Sequence, residues 1–425
     1  MAIQHFFGAW IVAVATASLC LSAAAADPLP RATPESVGML GARLDRIDAH
    51  MNGEVAAGRI PGGVVAVARK GKLVYLKAFG YTDKAANLPM PTDAIFSIAS
   101  MTKPLVCVGT LMLYEDGVLM LGDPVAKYLP ALGQMKVARD EGNVPAGATI
   151  ETVPLRRAVT VQDLMRQTSG MLYGGRGTTA LHKLYPPTSL AVSQMTPSEF
   201  IDRMGALPLA HQPGSVWDYS LSLDVLGVLL ERATNERLDD YLRKRVFAPL
   251  RMEDSGFLLP PEKWRRYAKP LPTDNTPMVD PTQPLKTNCG GGCAYSTAGD
   301  YLRFAQMLLD RGSLEGARIL GPKTVEFMTA DHLPPGTDNR MLQVEPYREG
   351  YGFGLGVAVR KQTGVSPTIG STGDYFWNGA YGTGFWVDPK EELVVVLMTA
   401  TPGNFRERLD LRQAISALVY QAIDR

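Results

Sequence analysis

Strand-like runs stand at the two ends of this chain and helical periodicity fills the space between them, a layout that constrains the fold more than any other feature of the sequence. Gly62-Gly63-Val64-Val65-Ala66-Val67-Ala68 follows a Pro-Gly break. Lys70-Gly71-Lys72 reads as a turn and Leu73 to Phe79 as the returning strand. Near the other end, Gly384 to Val387 and Leu393 to Thr399 flank Asp388-Pro389-Lys390-Glu391 in the same way. After Pro402-Gly403, Asn404 is placed to cap a helix striped by Leu409, Ile415, Leu418, Val419 and Ala422. Between Met101 and about Asp280 the spacing predicts helices over Leu105 to Tyr114, Thr160 to Arg166 and Leu221 to Thr234, and Asp300 to Leu309 reads as another. Two separated sets of strands with helices between them imply one sheet built from both ends, with a helical region inserted. Pro/Gly-rich stretches around 130–155, 173–188 and 258–292 read as long loops, where sites tend to be carried.

Met1 to Ala26 contain no Asp, Glu, Lys or Arg; Phe6 to Leu21 are mostly apolar, and Ala23-Ala24-Ala25-Ala26 precede Asp27. Small residues before a cut are what signal peptidase accepts, so residues 1–26 read as a signal peptide and the mature protein as periplasmic or secreted. The stretch is also long enough to serve as an uncleaved N-terminal membrane anchor. Export makes a Cys289–Cys293 bridge across Gly290-Gly291-Gly292 feasible, with two free, partly buried thiols as the other reading, whereas Cys107 in an apolar helix reads as core. A net charge of +1 gives no reason to expect a nucleic-acid partner or an anionic membrane surface. Five His with no His-Glu-x-x-His give no metal site, and no cofactor is implied. Oligomeric state leaves no mark on the sequence.

Three elements carry chemistry. In Phe96-Ser97-Ile98-Ala99-Ser100-Met101-Thr102-Lys103-Pro104, Pro104 fits only the first turn of a helix, which places the helix start near Ser100 or Met101. Ser100 and Lys103 then share one face, where a neutral lysine amine takes the proton of a serine nucleophile. Cys107 lies one turn further on that face, as an apolar floor. In Trp217-Asp218-Tyr219-Ser220-Leu221-Ser222, Tyr219 stands just before an apolar helix, placed to relay that proton. The third element runs from Gly370 to Pro389 and includes Trp377-Asn378-Gly379-Ala380; its glycines let an edge-strand backbone approach a ligand, where an N–H binds a developing oxyanion. His211, in an Ala-His-Gln-Pro loop, reads as a surface residue. No Gly-x-Ser-x-Gly occurs, which excludes a nucleophile elbow.

Taken together and in this order, the three elements resemble the serine β-lactamase and penicillin-binding superfamily, class C-like, and more narrowly the family VIII carboxylesterases. Leu121-Gly122-Asp123-Pro124, Thr168-Ser169-Gly170, Pro249-Leu250-Arg251-Met252 and Ser296-Thr297-Ala298-Gly299-Asp300-Tyr301 agree with it. The resemblance implies an α+β fold in which an antiparallel sheet flanked by helices packs against a mostly helical lobe. Residues 27–99 and 285–425 would form the first lobe and residues 100–284 the second. It implies Ser100 as nucleophile, Lys103 and Tyr219 as the acid–base pair, and the N–H groups of Ser100 and Ala380 as the oxyanion hole. Trp377, Asn378 and Gly379 would line the substrate site. Two departures matter. Trp377 stands where the lactamases carry Lys or His, and Leu221 where their second motif ends in Asn. Both favour uncharged esters over penicillins, so the expected activity is hydrolysis of small carboxylic esters with short to medium acyl groups. The competing readings are a β-lactamase or D-Ala-D-Ala peptidase, a transesterase, and a non-catalytic cell-wall binding protein.

Overall fold

The computed structural model describes residues 27–140, 143–145 and 147–425; the signal peptide expected over residues 1–26 lies outside them. In chain order the elements that position the site are α1 (Arg46–Ala56), β1 (Gly62–Arg69), β2 (Lys72–Asp83), β3 (Leu88–Pro89), β4 (Ile95–Ser97) and α2 (Thr102–Glu115). Then come α3 (Val161–Met165), α4 (Ser222–Thr234), β5 (Tyr295–Thr297) and α5 (Ala298–Leu309). Last are β6 (Tyr351–Phe353), β7 (Ala358–Arg360), β8 (Tyr375–Asn378), β9 (Gly384–Asp388), β10 (Leu393–Thr399) and α6 (Phe405–Tyr420).

The main sheet runs β6-β7-β8-β9-β10-β1-β2-β3, antiparallel throughout, so the chain's two ends meet at the β10–β1 seam, where Val65 pairs with Leu397 and Val67 with Val395. Every residue of β1 and β10 is buried, which requires cover on both faces and explains their unbroken apolar runs. Helix α5 packs against β10, β1 and β9, while α1 lies on β1 and β2 with α6 beside it. Both hairpins read from the sequence are present, β1 with β2 and β9 with β10, each antiparallel. Asn404 caps α6 as expected, its side chain accepting from the Glu407 N–H, and Thr160 and Asp163 form a reciprocal capping box on α3.

Three features differ from the sequence reading. Strand β8 is not an edge: β7 pairs with it through Tyr375 and Phe376, and β6 lies beyond, leaving only the Trp377–Asn378 end free on that side. Strands of three residues carry too little alternation to be read in advance. His211 is buried rather than exposed, because Gly170 packs directly on its backbone and Asp218 Oδ2 lies 3.3 Å from its Nε2. The cysteine alternative resolves as a Cys289–Cys293 disulfide with Cα atoms 5.3 Å apart, and Cys107 is buried as expected. No helix among the described residues is long and apolar enough to cross a membrane.

Candidate active site

The strand β4, paired with β5, delivers the chain into a turn over Ala99–Met101 that opens onto α2. Ala99 sits at φ +45°, a left-handed conformation that costs a residue with a Cβ about 1–3 kcal/mol and marks a backbone held by its surroundings. The restraints are visible. Thr102 Oγ1 donates to the Ala99 carbonyl at 2.7 Å and accepts from the Ala294 N–H at 3.0 Å, and Tyr301 Oη donates to the Met101 carbonyl at 2.8 Å. Ser100 therefore lies in this turn, just ahead of the helix proper. It is half-buried, whereas Lys103 is fully buried.

Lys103 Nζ lies 2.6 Å from the Gly291 carbonyl, 3.3 Å from Tyr173 Oη and 3.4 Å from Ser100 Oγ. The Gly291 and Tyr173 oxygens each accept an N–H of this amine, and its third direction is toward Ser100 Oγ. Tyr219 closes the group: Lys103 Nζ is 4.5 Å from its ring centroid. The Tyr219 ring is wedged among Tyr173 and Trp377, each with centroids 5.4 Å away, and Trp217 at 6.3 Å. Its hydroxyl is buried and makes no hydrogen bond among the described residues.

Beneath Lys103 lies a network that the sequence reading missed. Asp224, in the first turn of α4, accepts from Tyr173 Oη at 3.2 Å, from Ser189 Oγ at 3.1 Å and from the Gly291 N–H at 3.1 Å. Burial raises the Asp224 carboxyl above the usual range, and the Lys103 charge opposes that shift. Burial, then the Asp224 charge, pushes the Tyr173 phenol well up, so Tyr173 stays a donor to Asp224 while accepting from Lys103. A lone acid inside Leu223-Asp224-Val225-Leu226 was the available signal, because an unpaired charge is not buried without purpose. Gly291 belongs to the disulfide loop, and a Cβ on it would overlap the Asp224 carboxylate.

The third element arrives at the end of β8, where Trp377 pairs with Phe385 and Asn378 with Gly384. Gly379 is packed so closely that a Cβ would overlap Thr383 Oγ1 and the Ile98 carbonyl, two residues before Ser100. Arg412 fixes this turn from α6, with Nη2 donating to the Gly379 carbonyl at 2.6 Å and to the Thr383 carbonyl at 2.8 Å. Burial brings the Arg412 guanidinium down to about 10. Ala380, next along, is exposed. Leu221 of the second motif is fully buried and forms part of the core.

The structure thus brings Ser100, Lys103, Tyr219 and Trp377 together, with the Gly379–Ala380 turn against the backbone that carries Ser100. A half-buried hydroxyl beside a buried amine and a phenol, on this sheet-and-helix frame, defines the class: a serine hydrolase. The chain belongs to the beta-lactamase family, whose pattern matches residues 47–419. It is 34% identical over 368 residues to Protein Rv1367c of Mycobacterium tuberculosis, covering 84% of this chain and 89% of that one. It is 30% identical over 405 residues to Esterase EstB of Burkholderia gladioli, covering 90% of this chain and 95% of EstB. Among solved structures, simvastatin synthase (LovD) from Aspergillus terreus superposes with a TM-score of 0.72 at 25% identity, over 89% of this chain and 98% of LovD.

Proposed function

We propose that this protein is a carboxylesterase that hydrolyses small esters with short to medium acyl groups through an acyl-enzyme on Ser100. The observation that carries the reading is Lys103 Nζ, 3.4 Å from Ser100 Oγ with its other bonding directions occupied. Ser100 Oγ attacks the ester carbonyl carbon as its proton passes to Lys103 Nζ. The carbonyl oxygen becomes an oxyanion held by the N–H groups of Ser100 and Ala380. Tyr219 Oη protonates the departing alkoxide and recovers a proton through Lys103. Water then attacks the acyl-enzyme by the reverse path and frees Ser100. Proton transfer by a placed group contributes about 10²–10⁴-fold. Trp377, buried against Tyr219, stands where the lactamases carry a cation, and the esterase relative supports an ester substrate.

The test is turnover of p-nitrophenyl butyrate, with nitrocefin in parallel. The ester is hydrolysed, Ser100→Ala abolishes the activity, and nitrocefin is the poorer substrate; faster nitrocefin turnover overturns the ester reading. The likeness to LovD favours a second reading, in which an alcohol replaces water. Added 1-butanol then yields butyl butyrate at the expense of butyrate. Export is part of the proposal, supported by the apolar run and the alanines before Asp27; N-terminal sequencing of the mature protein checks it.

A further inference from the structure

The turn Gly174–Arg176 follows Tyr173 directly in the chain. It is pinned by the Gly174 N–H on the Pro186 carbonyl at 3.0 Å and the Gly175 N–H on the Pro187 carbonyl at 3.1 Å. A Cβ on Gly174 would overlap the Tyr185 carbonyl, one on Gly175 would press on the Pro187 carbonyl, and one on Gly177 would overlap the His182 ring. Packing therefore allows only one side chain in this stretch, and that side chain is Arg176. Its guanidinium carbon lies 5.5 Å over the ring centroid of Tyr219. Nη2 donates to the Gln343 carbonyl at 3.0 Å, which fixes the direction of the group. Among the described residues it joins no carboxylate, while the nearby Asp218 is taken by His211 at 3.3 Å and Arg340 at 3.5 Å. Arg176 is exposed, so its remaining N–H bonds are open to solvent.

We propose that Arg176 is a specificity residue that selects esters carrying a carboxylate, such as half-esters of dicarboxylic acids. This rests on the esterase reading above and refines it: the carboxylate would meet a cation over the Tyr219 ring, away from the third element. A guanidinium pairs with a carboxylate through two parallel N–H···O bonds, which a compact ammonium cannot copy. The contact with Tyr219 is to the ring and not to its hydroxyl, so the group is free to act on substrate rather than on the proton relay.

The experiment compares p-nitrophenyl hydrogen glutarate with p-nitrophenyl valerate, which have equal chain length and differ in charge. The wild type prefers the anionic ester in kcat/KM, and Arg176→Gln lowers that preference roughly tenfold, chiefly through KM. Arg176→Lys restores it in part, and added salt erodes it. Calorimetric binding of both esters to the Ser100→Ala protein, with and without Arg176→Gln, reads the same preference without turnover. A preference that survives Arg176→Gln overturns the proposal. So does an equal loss on both esters with a displaced pH profile, because Arg176 would then be acting through Tyr219. Failure of the esterase reading looks different: the wild type turns over neither ester, whatever it binds.

Discussion

In the proposed mechanism the Tyr219 hydroxyl separates catalysis from stability at the level of single residues. It is buried without a hydrogen bond among the described residues, so removing it relieves an unsatisfied polar group and costs the fold nothing. Tyr219→Phe therefore keeps or slightly raises Tm while kcat falls about 10²–10⁴-fold. Thermal melts and p-nitrophenyl butyrate kinetics on one preparation check both halves, and an unchanged kcat removes Tyr219 from the mechanism. The grouping of the proposed site residues was legible because their spacing is local: Ser100 and Lys103 need only one turn of chain, and Trp377 to Ala380 are contiguous. Their supports were not. Asp224 meets Tyr173 and Gly291 from two distant loops, and Arg412 reaches the Gly379 turn from the last helix, so no window along the chain contains these contacts.

Among the elements, the β8–β9 turn is the most exacting, because it must place a strand end against the backbone that precedes Ser100. Gly379 has no room for a Cβ on either side. Gly379→Ala forces β8 away from Ile98 or displaces Thr383, a form of overpacking that costs about 1–3 kcal/mol. Its main effect is on chemistry: the Ala380 N–H moves with the turn, and kcat falls about 10²-fold or more if that group is an oxyanion donor. Acylation of Ser100 by a fluorophosphonate slows in parallel, and a variant that melts lower but acylates at the wild-type rate refutes the link. The hairpins β1–β2 and β9–β10 and the helices α2, α4, α5 and α6 were readable because each has its own period, turn and cap. The short β6 and β7 have none of these, and they are what turns β8 from an edge into an interior strand.

For the whole molecule, the buried acids set how stability follows pH. Burial raises the Asp300 carboxyl to about 7, against hydrogen bonds from Ser255 Oγ and the Asp254 N–H, both at 2.8 Å. Below the unfolded value near 3.9 both states hold the proton. As pH rises from about 4 to 7 the unfolded chain ionises first, so the contribution of Asp300 to stability is progressively lost, and above 7 it changes no further. Asp163 has the opposite sign. Burial alone would raise it, but hydrogen bonds from Arg157 and the Thr160 N–H, with the charges of Arg157 and Arg166, hold it below the usual range. Its contribution is present above the unfolded value and is lost as pH falls through the folded one. Burial also lowers His182 and His332, whose stabilisation grows as pH rises toward 6.5. These opposing groups mask Asp300 in any single melt, so the comparison must be between proteins. Asp300→Asn keeps an oxygen for Ser255 and Asp254 and removes the titration. Between pH 5 and pH 8 the wild-type Tm moves downward relative to that of the variant, by roughly 2–4 °C for each kcal/mol of linkage. Parallel Tm curves over that range would mean that Asp300 carries the same charge folded and unfolded.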